Sequence, residues 1–377
     1  MSFSISTSPR IQRSPFFEAT RRYGALGYSV YNKMYLPIGY DDPEKEFWSL
    51  VNDVTLWDVA VQRIVEISGP DALAFTNMLT PRDLTKCRTG NCKYVLITDQ
   101  HGGILNDPIL LRLAEDRFWL SRADSDILMW AKGVAVNSGL DINICEPAVA
   151  TLQIQGPKSV HVVEKLFGPS VLDIKYYDFQ EFSLNGAPVI LARTGWSAER
   201  GYEVYLRDTS KAIEVWDSIM AAGEEYKIVP ASPNRIRRIE GGILDFSVDM
   251  NEETNPFEIG MDRLVQLDLE DDFIGKFALK AIREAGIKRK LVGVELDGSP
   301  VSFNETSWAA KEGDKVIGKL TSCVYSPRLK KNVGFVMTEI AYTQLGTSFS
   351  IESVDGPRVA TVVPMPFFDP EKSLSKE

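Results

Sequence analysis

Short runs in which apolar and polar residues alternate recur along the chain, and this period of two is typical of half-buried strands. The runs are RIVEISG (63–69), KYVLITD (93–99), RFWLSRA (117–123), APVILAR (187–193) and GYEVYLRD (201–208). Between them, apolar residues fall three or four apart, which predicts helices over DALAFTNML (71–79), SDILMWAKGVAVNSG (125–139), KSVHVVEKLFG (158–168) and KAIEVWDSIMAAG (211–223). Hairpin-like strand pairs together with crossovers predict an α+β fold rather than a doubly wound parallel sheet.

The pattern changes near residue 265. Residues 268–286 (DLEDDFIGKFALKAIREAG) indicate an acidic linker followed by a helix. Short strands and turns follow, in KLVGVELDG (290–298), GKLTSCVYSP (318–327) and PRVATVVPMPFF (357–368). The sequence therefore predicts a separate all-β domain at the C-terminal end.

Composition narrows the class of protein. The 377 residues suffice for two or three domains, and 44% hydrophobic with 25% charged residues is typical of a soluble globular chain. The net charge of -10 argues against a nucleic-acid surface, which needs clustered Lys and Arg. No run approaches the ~20 apolar residues of a membrane span, and the first residues lack the apolar core of a signal peptide. We therefore expect a cytoplasmic protein without a membrane segment.

Several kinds of chemistry lack a sequence basis. The four cysteines form no C-x-x-C pair, and the two histidines, His101 and His161, do not group with them, so we expect free thiols and no metal site. Neither histidine accompanies a nucleophile-elbow motif. The glycine motifs of dinucleotide-binding and nucleoside-triphosphate-binding loops are also missing.

One segment places an ionisable residue between apolar runs. In HGGILNDPILL (101–111), Asp107 lies between Ile104-Leu105 and Ile109-Leu110-Leu111. Glycine, Asn106 and Pro108 are turn formers, so a turn explains the segment without any chemistry. The alternative is a half-buried carboxylate held in a functional site. The pattern alone favours the turn.

Nine segments, taken in order, resemble the folate-dependent aminomethyltransferases, the family of the glycine-cleavage T-protein. They are LWDVA (56–60), ISGPDAL (67–73), GGILNDPI (102–109), LQIQGPK (152–158), ARTGWSAERGYEVYL (192–206), RIEGGILDFSVDMNEETNPFEIG (238–260), FIGKFAL (273–279), TSCVYSPRLKKNVGFV (321–336) and VVPMPFF (362–368). The resemblance implies an α+β three-domain cloverleaf with tetrahydrofolate in a central channel. Its parts would be a discontinuous folate-binding domain (1–50 with 146–265), an inserted domain (51–145) and a barrel-like β-rich domain (266–377).

The resemblance also implies site residues. Asp107 occupies the last position of a GGILDD-type motif, whose aspartate faces the reactive part of the folate, and Glu203 in the G-[YF]-E position is the candidate acceptor for the pterin N–H groups. Tyr94, Trp196 and Tyr205 are candidate pterin-packing aromatics, although strand-borne Tyr94 and Tyr205 could be ordinary sheet residues. Arg238, in the R-[LI]-E-x-G position, either holds Glu240 or faces the folate tail. All five are therefore predicted cofactor-binding residues, beside the predicted catalytic Asp107.

Departures from the T-protein pattern bear on the methyl donor. GWSAERGYE replaces the usual GYTGE-D-G-[FV]-E, and residues 10–40 resemble the branch of the family that demethylates dimethylsulfoniopropionate. A sulfonium is a fixed cation, which aromatic faces attract, so Tyr31 and Trp196 are candidate substrate-binding residues. Lys33 is the candidate for the donor's carboxylate; it could equally be a solvated loop lysine.

The sequence thus predicts a tetrahydrofolate-dependent methyltransferase that acts on small molecules without a metal, nucleic acid, membrane or lipoyl carrier protein. A homodimer is left open. One alternative is a glycine-cleavage aminomethyltransferase, which would need the lipoyl carrier. A second is a folate-dependent aromatic O-demethylase. A folate-binding regulatory or iron–sulfur-assembly protein is less favoured, because TGWSAERGYE lacks the K-G-C-Y-x-G-Q-E cysteine of that relative.

Overall fold

The computed structural model describes residues 8–377, which form helices and strands throughout. The helices are α1 (Phe17–Arg22), α2 (Pro43–Asn52), α3 (Ala72–Leu79), α4 (Ile127–Ala135), α5 (Ser159–Phe167), α6 (Ala212–Gly223), α7 (Arg235–Glu240), α8 (Lys276–Ala285) and α9 (Ser373–Lys376). The strands are β1 (Tyr28–Tyr31), β2 (Met34–Pro37), β3 (Val54–Asp58), β4 (Ile64–Ser68), β5 (Cys92–Tyr94), β6 (Ile97–Thr98), β7 (Ile104–Asn106), β8 (Ile109–Ala114), β9 (Arg117–Ser121), β10 (Asn143–Cys145), β11 (Ala150–Gln155), β12 (Phe179–Leu184), β13 (Ala187–Ala192), β14 (Gly201–Leu206), β15 (Ile228–Pro230), β16 (Arg289–Leu296), β17 (Trp308–Glu312), β18 (Lys315–Ser326), β19 (Lys331–Glu339), β20 (Ser348–Ser353) and β21 (Gly356–Val363).

The described residues fall into two compact units. Unit one comprises 8–65, 90–92 and 146–234, and unit two comprises 66–89, 93–145 and 235–377. Within 8–377, no helix is long and apolar enough to span a bilayer. The three domain boundaries expected from the family resemblance stay a prediction.

Unit one is built on a six-stranded sheet in the order β12-β13-β14-β11-β3-β15, with the hairpin β1–β2 beside it in sequence. Helices α5 and α6 pack against one face of the sheet, where their apolar residues form a core with those of β11 and β14. Successive side chains of a strand alternate between faces. Tyr202, Val204 and Leu206 therefore enter this core, whereas Glu203 and Tyr205 lie on the opposite face.

Unit two contains a closed barrel and most of a five-stranded sheet. The barrel closes in the order β16-β19-β18-β17-β20-β21, and the sheet runs β10-β4-β9-β8-β5. Inward-facing apolar residues of the barrel strands, among them Val294, Phe349 and Ala360, form a core of their own. The predicted α+β class and the predicted barrel-like β domain at the C-terminal end are both confirmed.

The double glycine forms the turn between β6 and β7. Gly102 has a φ of +81°, which favours glycine, and a Cβ on Gly103 would lie 2.0 Å from the carbonyl oxygen of Glu252. Asn106 was expected to help form a turn with Pro108, but it is the last residue of β7 and fully buried. Its side chain donates to Ala123 O and Ser125 Oγ and accepts from Ala123 N. Asn106 therefore holds the strand just before Asp107.

The strands and helices predicted from periodicity are present, with one change, and several further elements were not predicted. KYVLITD is divided into β5 and β6 rather than forming a single strand. The hairpin β1–β2 was not predicted. Its strands have four residues each, and the turn uses Asn32 and Lys33 in left-handed conformations (φ 47° and 61°) instead of the usual Asn-Gly. A lysine at the second turn position gives no hairpin signal in the sequence.

Candidate functional site

A buried carboxylate with three hydrogen-bond donors lies on the face of the unit-one sheet opposite α5 and α6. Gln153 faces Glu203 across the pair β11–β14, and its Nε2 donates to Glu203 Oε1 at 2.8 Å. Tyr205 donates its hydroxyl to Glu203 Oε2 at 3.1 Å, and the Thr194 hydroxyl donates to the same oxygen. Burial raises the pKa of Glu203, and the bonds from Thr194, Gln153 and Tyr205 act against that rise.

The same face carries acceptors that lack donors. Gln153 Oε1 and Thr151 Oγ1 are buried and have no hydrogen-bond partner within residues 8–377. A carboxylate has about four positions at which it can accept a hydrogen bond. Three donors already occupy three of these positions on Glu203, so about one position is left. We refer to Thr151, Gln153, Thr194, Glu203 and Tyr205 as the acceptor cluster. It is suited to a ligand that brings N–H donors.

Sequence reasoning missed two members of the acceptor cluster that contact Glu203. Gln153 is fully buried in β11, and Thr194 lies two residues beyond β13. Both lie within segments that resemble the family, but no role was predicted for either. The available signal was the polar Gln153 between Leu152 and Ile154, because a buried polar side chain in a strand needs a partner.

A second carboxylate lies in unit two, in the short connection from β7 to β8. Asp107 accepts a hydrogen bond from the Tyr94 hydroxyl at 2.9 Å, and that hydroxyl lies 3.7 Å from Met261 Sδ. Burial raises the pKa of Asp107 to about 8; the bond from Tyr94 lowers it, and the nearby charge of Asp245 raises it further. At neutral pH, Asp107 is therefore largely a neutral acid that can be ionised by a modest change in its surroundings.

Arg238 and Asp249 form a buried ion pair in unit two. Arg238 Nη1 lies 2.7 Å from Asp249 Oδ2, and Arg238 also donates to Ser322 Oγ at 2.8 Å and to Ile243 O at 3.2 Å. Asp249 Oδ1 in turn accepts from the hydroxyls of Thr321 and Ser322, each at 2.6 Å. These bonds join helix α7 to barrel strand β18.

Both halves of the chain match known family models. The GCVT N-terminal domain matches residues 16–269, and the glycine cleavage T-protein C-terminal barrel domain matches residues 289–369. The chain belongs to the glycine cleavage T-protein family. The resemblance recognised from nine short segments is thereby confirmed, as is the T-protein type of fold.

Individual members of the T-protein family match over almost their full length. The chain is 34% identical, over 95% of its length and 98% of the relative, to dimethylsulfoniopropionate demethylase DmdA of Ruegeria pomeroyi. It is 28% identical to an aminomethyltransferase of Bacillus cytotoxicus, over 96% of this chain and 99% of that one. The crystal structure of aminomethyltransferase T from Bartonella henselae superposes with a TM-score of 0.86 at 20% identity, over 96% of this chain and 99% of that chain. The protein is thus an enzyme of a folate-dependent one-carbon transferase family.

The predicted folate-binding residues lie in two different units of the structure. Glu203 and Tyr205 meet in unit one, where the Tyr205 ring is fully buried and its hydroxyl supports Glu203. Tyr94 lies in unit two and holds Asp107 through its hydroxyl. Arg238 is 3% exposed and is bonded to Asp249 and Ser322, partners that the motif did not indicate. A direct contact of these residues with folate stays a prediction.

The residues of this chain that are predicted to bind the donor all lie in unit one. Tyr31 is half-buried at the end of β1, and Lys33 is exposed in the β1–β2 turn. Trp196 is half-buried in the segment 194–200, where Ser197 donates to Gln155 Oε1 at 2.5 Å. Their substrate roles stay predictions. No group of three or more His, Cys, Asp or Glu side chains within residues 8–377 is arranged to hold a metal ion.

Proposed function

We propose that this enzyme transfers a methyl group from dimethylsulfoniopropionate to N5 of tetrahydrofolate, giving 5-methyltetrahydrofolate and 3-methylmercaptopropionate. The observation that carries the proposal is 34% identity, along nearly the whole chain, to a relative named dimethylsulfoniopropionate demethylase. The aminomethyltransferase relative is less similar, at 28%. The N-terminal segment 10–40, which differs from the T-protein pattern, supports the same donor.

The acceptor cluster supports tetrahydrofolate as the methyl acceptor. A reduced pterin presents an amino group and ring N–H groups side by side, and these are donors. Gln153 Oε1 is a buried acceptor without a donor, next to the carboxylate of Glu203. A bound pterin would supply the missing hydrogen bond and use the remaining acceptor position of Glu203. In this proposal Tyr205 and Thr194 position Glu203.

Asp107 supports methyl transfer from a cationic donor. The S–CH3 bond breaks with its electron pair going to sulfur, which leaves a neutral thioether, while the N5 lone pair forms the new C–N bond. The proton of N5 must then leave, and an ionised Asp107 can accept it. Because a sulfonium is already an activated donor, orienting the two reactants supplies much of the acceleration. We therefore assign Asp107 mainly to electrostatic orientation.

The remaining assignments follow from the chemistry of the donor. Tyr31 and Trp196 offer aromatic faces to the sulfonium, worth roughly 0.5 to 2 kcal/mol each depending on desolvation. Lys33 is exposed in the β1–β2 turn and can pair with the donor's carboxylate. Since the donor is a free small molecule, the proposal includes no lipoyl carrier protein. The cytoplasm stays the predicted location.

The proposed activity is tested by incubating the protein with tetrahydrofolate and dimethylsulfoniopropionate and measuring folate products by mass. We expect 5-methyltetrahydrofolate and an equal amount of 3-methylmercaptopropionate. Parallel reactions contain an aminomethyl-lipoyl carrier protein or a methoxybenzoate in place of the sulfonium. Methylenetetrahydrofolate from the carrier, or methylation only with the methoxybenzoate, would identify the aminomethyltransferase or the O-demethylase instead.

Glu203→Gln is expected to raise the KM for tetrahydrofolate about 10- to 100-fold and to leave the KM for the donor within about twofold. A hydrogen bond to a charged acceptor is worth about 1.5–3 kcal/mol, and the glutamine keeps the shape but loses the charge. Steady-state kinetics with each substrate varied in turn measures both constants. Glu181→Gln, on the exposed part of β12 in the same unit, is the matched control. Equal KM values in both variants would remove Glu203 from the folate site.

A further inference from the structure

Gln155 is a fully buried polar residue at the last position of β11. Successive side chains of a strand alternate between faces, and Leu152 and Ile154 enter the core of unit one. Gln155 therefore lies on the same face of the sheet as Gln153 of the acceptor cluster. A buried polar side chain is hydrogen-bonded in a folded protein, so the partners of Gln155 indicate what it holds.

The side-chain amide of Gln155 binds the segment 194–200 at its base. Its Oε1 accepts from the Ser197 hydroxyl at 2.5 Å, and its Nε2 donates to the carbonyl oxygens of Thr194 and Tyr202, each at 3.4 Å. Thr194 and Ser197 are themselves almost fully buried. Trp196, which is half-buried, therefore lies between two residues that this one amide holds.

Two glycines allow the segment to approach the amide closely. A Cβ on Gly195 or on Gly201 would lie 2.2 Å from Gln155 Oε1, so a larger residue at either position would displace the amide. Ala198 has a φ of +54°, a left-handed conformation that residues other than glycine seldom adopt. Strain of this kind persists where the surrounding structure fixes the backbone. These features indicate a segment whose conformation is fixed by its contacts with Gln155.

We propose that Gln155 is a positioning residue for methyl transfer, which fixes the segment 194–200 so that Trp196 is presented to the donor. This inference rests on the proposed function, which assigns Trp196 to the sulfonium and Glu203 to folate. Thr194 connects the two assignments, because its hydroxyl donates to Glu203 and its carbonyl accepts from Gln155. Methyl transfer needs both reactants aligned, and a misplacement of about 1 Å caused by a residue outside the chemistry can cost about 10²-fold in rate.

The first test compares the Michaelis constants of Gln155→Met and the wild type for the two substrates. Methionine keeps the length of the side chain and removes the amide. We expect KM for dimethylsulfoniopropionate to rise at least tenfold and KM for tetrahydrofolate to stay within threefold, because Glu203 keeps its bonds from Gln153 and Tyr205. Gln180→Met, at an exposed position of β12 in the same sheet, is the matched control and should change neither constant. A role in folding alone would lower kcat through loss of folded protein and leave both KM values unchanged.

The second test observes Trp196 directly and does not depend on the identity of the donor. Incorporation of 5-fluorotryptophan gives a fluorine NMR signal for each of the seven tryptophans, and Trp196→Phe identifies the signal of Trp196. In Gln155→Met we expect this signal to move further than that of any other tryptophan. Gly195→Ala should have the same effect, because its methyl group pushes the amide of Gln155 away. If Gln155→Met does not fold, Ser197→Ala removes a single bond to the amide and should raise the donor KM at least threefold.

Two kinetic results would overturn the inference: a donor KM that does not change in Gln155→Met, or a folate KM that rises as much as the donor KM. A Trp196 signal that keeps its wild-type position would also overturn it. Failure of the proposed function is distinguishable. In that case the wild type gives no 5-methyltetrahydrofolate from dimethylsulfoniopropionate, whereas the fluorine spectra still report whether Gln155 holds Trp196.

Discussion

Asp107→Asn should lower kcat for methyl transfer by about 100-fold or more while the donor and folate still bind. The asparagine keeps the size of the side chain and an oxygen for the Tyr94 hydroxyl, but it carries no charge and cannot take a proton. Removal of one positioned acid–base or electrostatic group typically costs 10²–10³ in rate. Single-turnover kinetics with saturating folate measures the chemical step directly. Wild-type turnover with unchanged binding in this variant would contradict the role proposed for Asp107.

The pH dependence of the reaction follows from the raised pKa of Asp107. Its value of about 8 means that the carboxylate is mostly protonated at pH 7, and the ionised form is the one that attracts a cation and accepts a proton. Wild-type kcat/KM should therefore rise with pH and level off above about 8, and Asp107→Asn should lack this rise. Tyr94→Phe removes the hydrogen bond that lowers this pKa, so its inflection should move to higher pH. Asp314→Asn, in an exposed turn of the same unit, is the control and should keep the wild-type profile.

Two acidic residues illustrate how the surroundings of a carboxylate decide what it can do. Glu203 accepts from three side chains, whereas Asp107 accepts from one. A carboxylate with several donors is held in one orientation, which suits binding of a flat ligand. A carboxylate with few donors responds more strongly to an approaching charge or proton. The same residue type is therefore suited to the two roles proposed above, recognition of folate for Glu203 and chemistry for Asp107.

The candidate site residues predicted from the sequence were those that belong to a family motif. Periodicity alone favoured a turn for HGGILNDPILL, and the structure contains that turn at Gly102 and Gly103, with Asp107 four residues further on. Glu203 and Asp107 were found through the family motifs. Gln153 was not, because one glutamine in an apolar strand indicates burial and does not indicate what it binds.

Contacts between segments that are distant in the sequence could not be predicted, whereas local elements could. Strands and helices follow from local periodicity, so β13, β14, α5 and α6 were located within one or two residues. The sequence motif left two alternative partners for Arg238, Glu240 and the folate tail. The structure shows it bonded to Ser322, 84 residues away, and to Asp249, which Thr321 also contacts. No local pattern in the sequence encodes that pairing.

Arg238→Met is expected to destabilise unit two by about 3–5 kcal/mol, because it leaves the fully buried Asp249 side chain without its counter-ion. The hydroxyls of Thr321 and Ser322 remain, but neither carries a positive charge. For a unit of this size the loss corresponds to a fall in melting temperature of roughly 6 to 20 °C. Scanning calorimetry at a fixed scan rate measures it.

Asp249→Leu and the double variant, Arg238→Met with Asp249→Leu, distinguish loss of the ion pair from loss of side-chain packing. If the pair is coupled, Arg238→Met with Asp249→Leu should lose clearly less stability than the sum of the two single losses. Lys315→Met breaks an exposed ion pair with Glu339 in the same unit and should scarcely change the melting temperature, because exposed pairs contribute little. A melting temperature of Arg238→Met within about 2 °C of wild type would mean that the pair does not hold α7 to the barrel. Arg238 would then be available for the folate tail, the alternative that its motif left open.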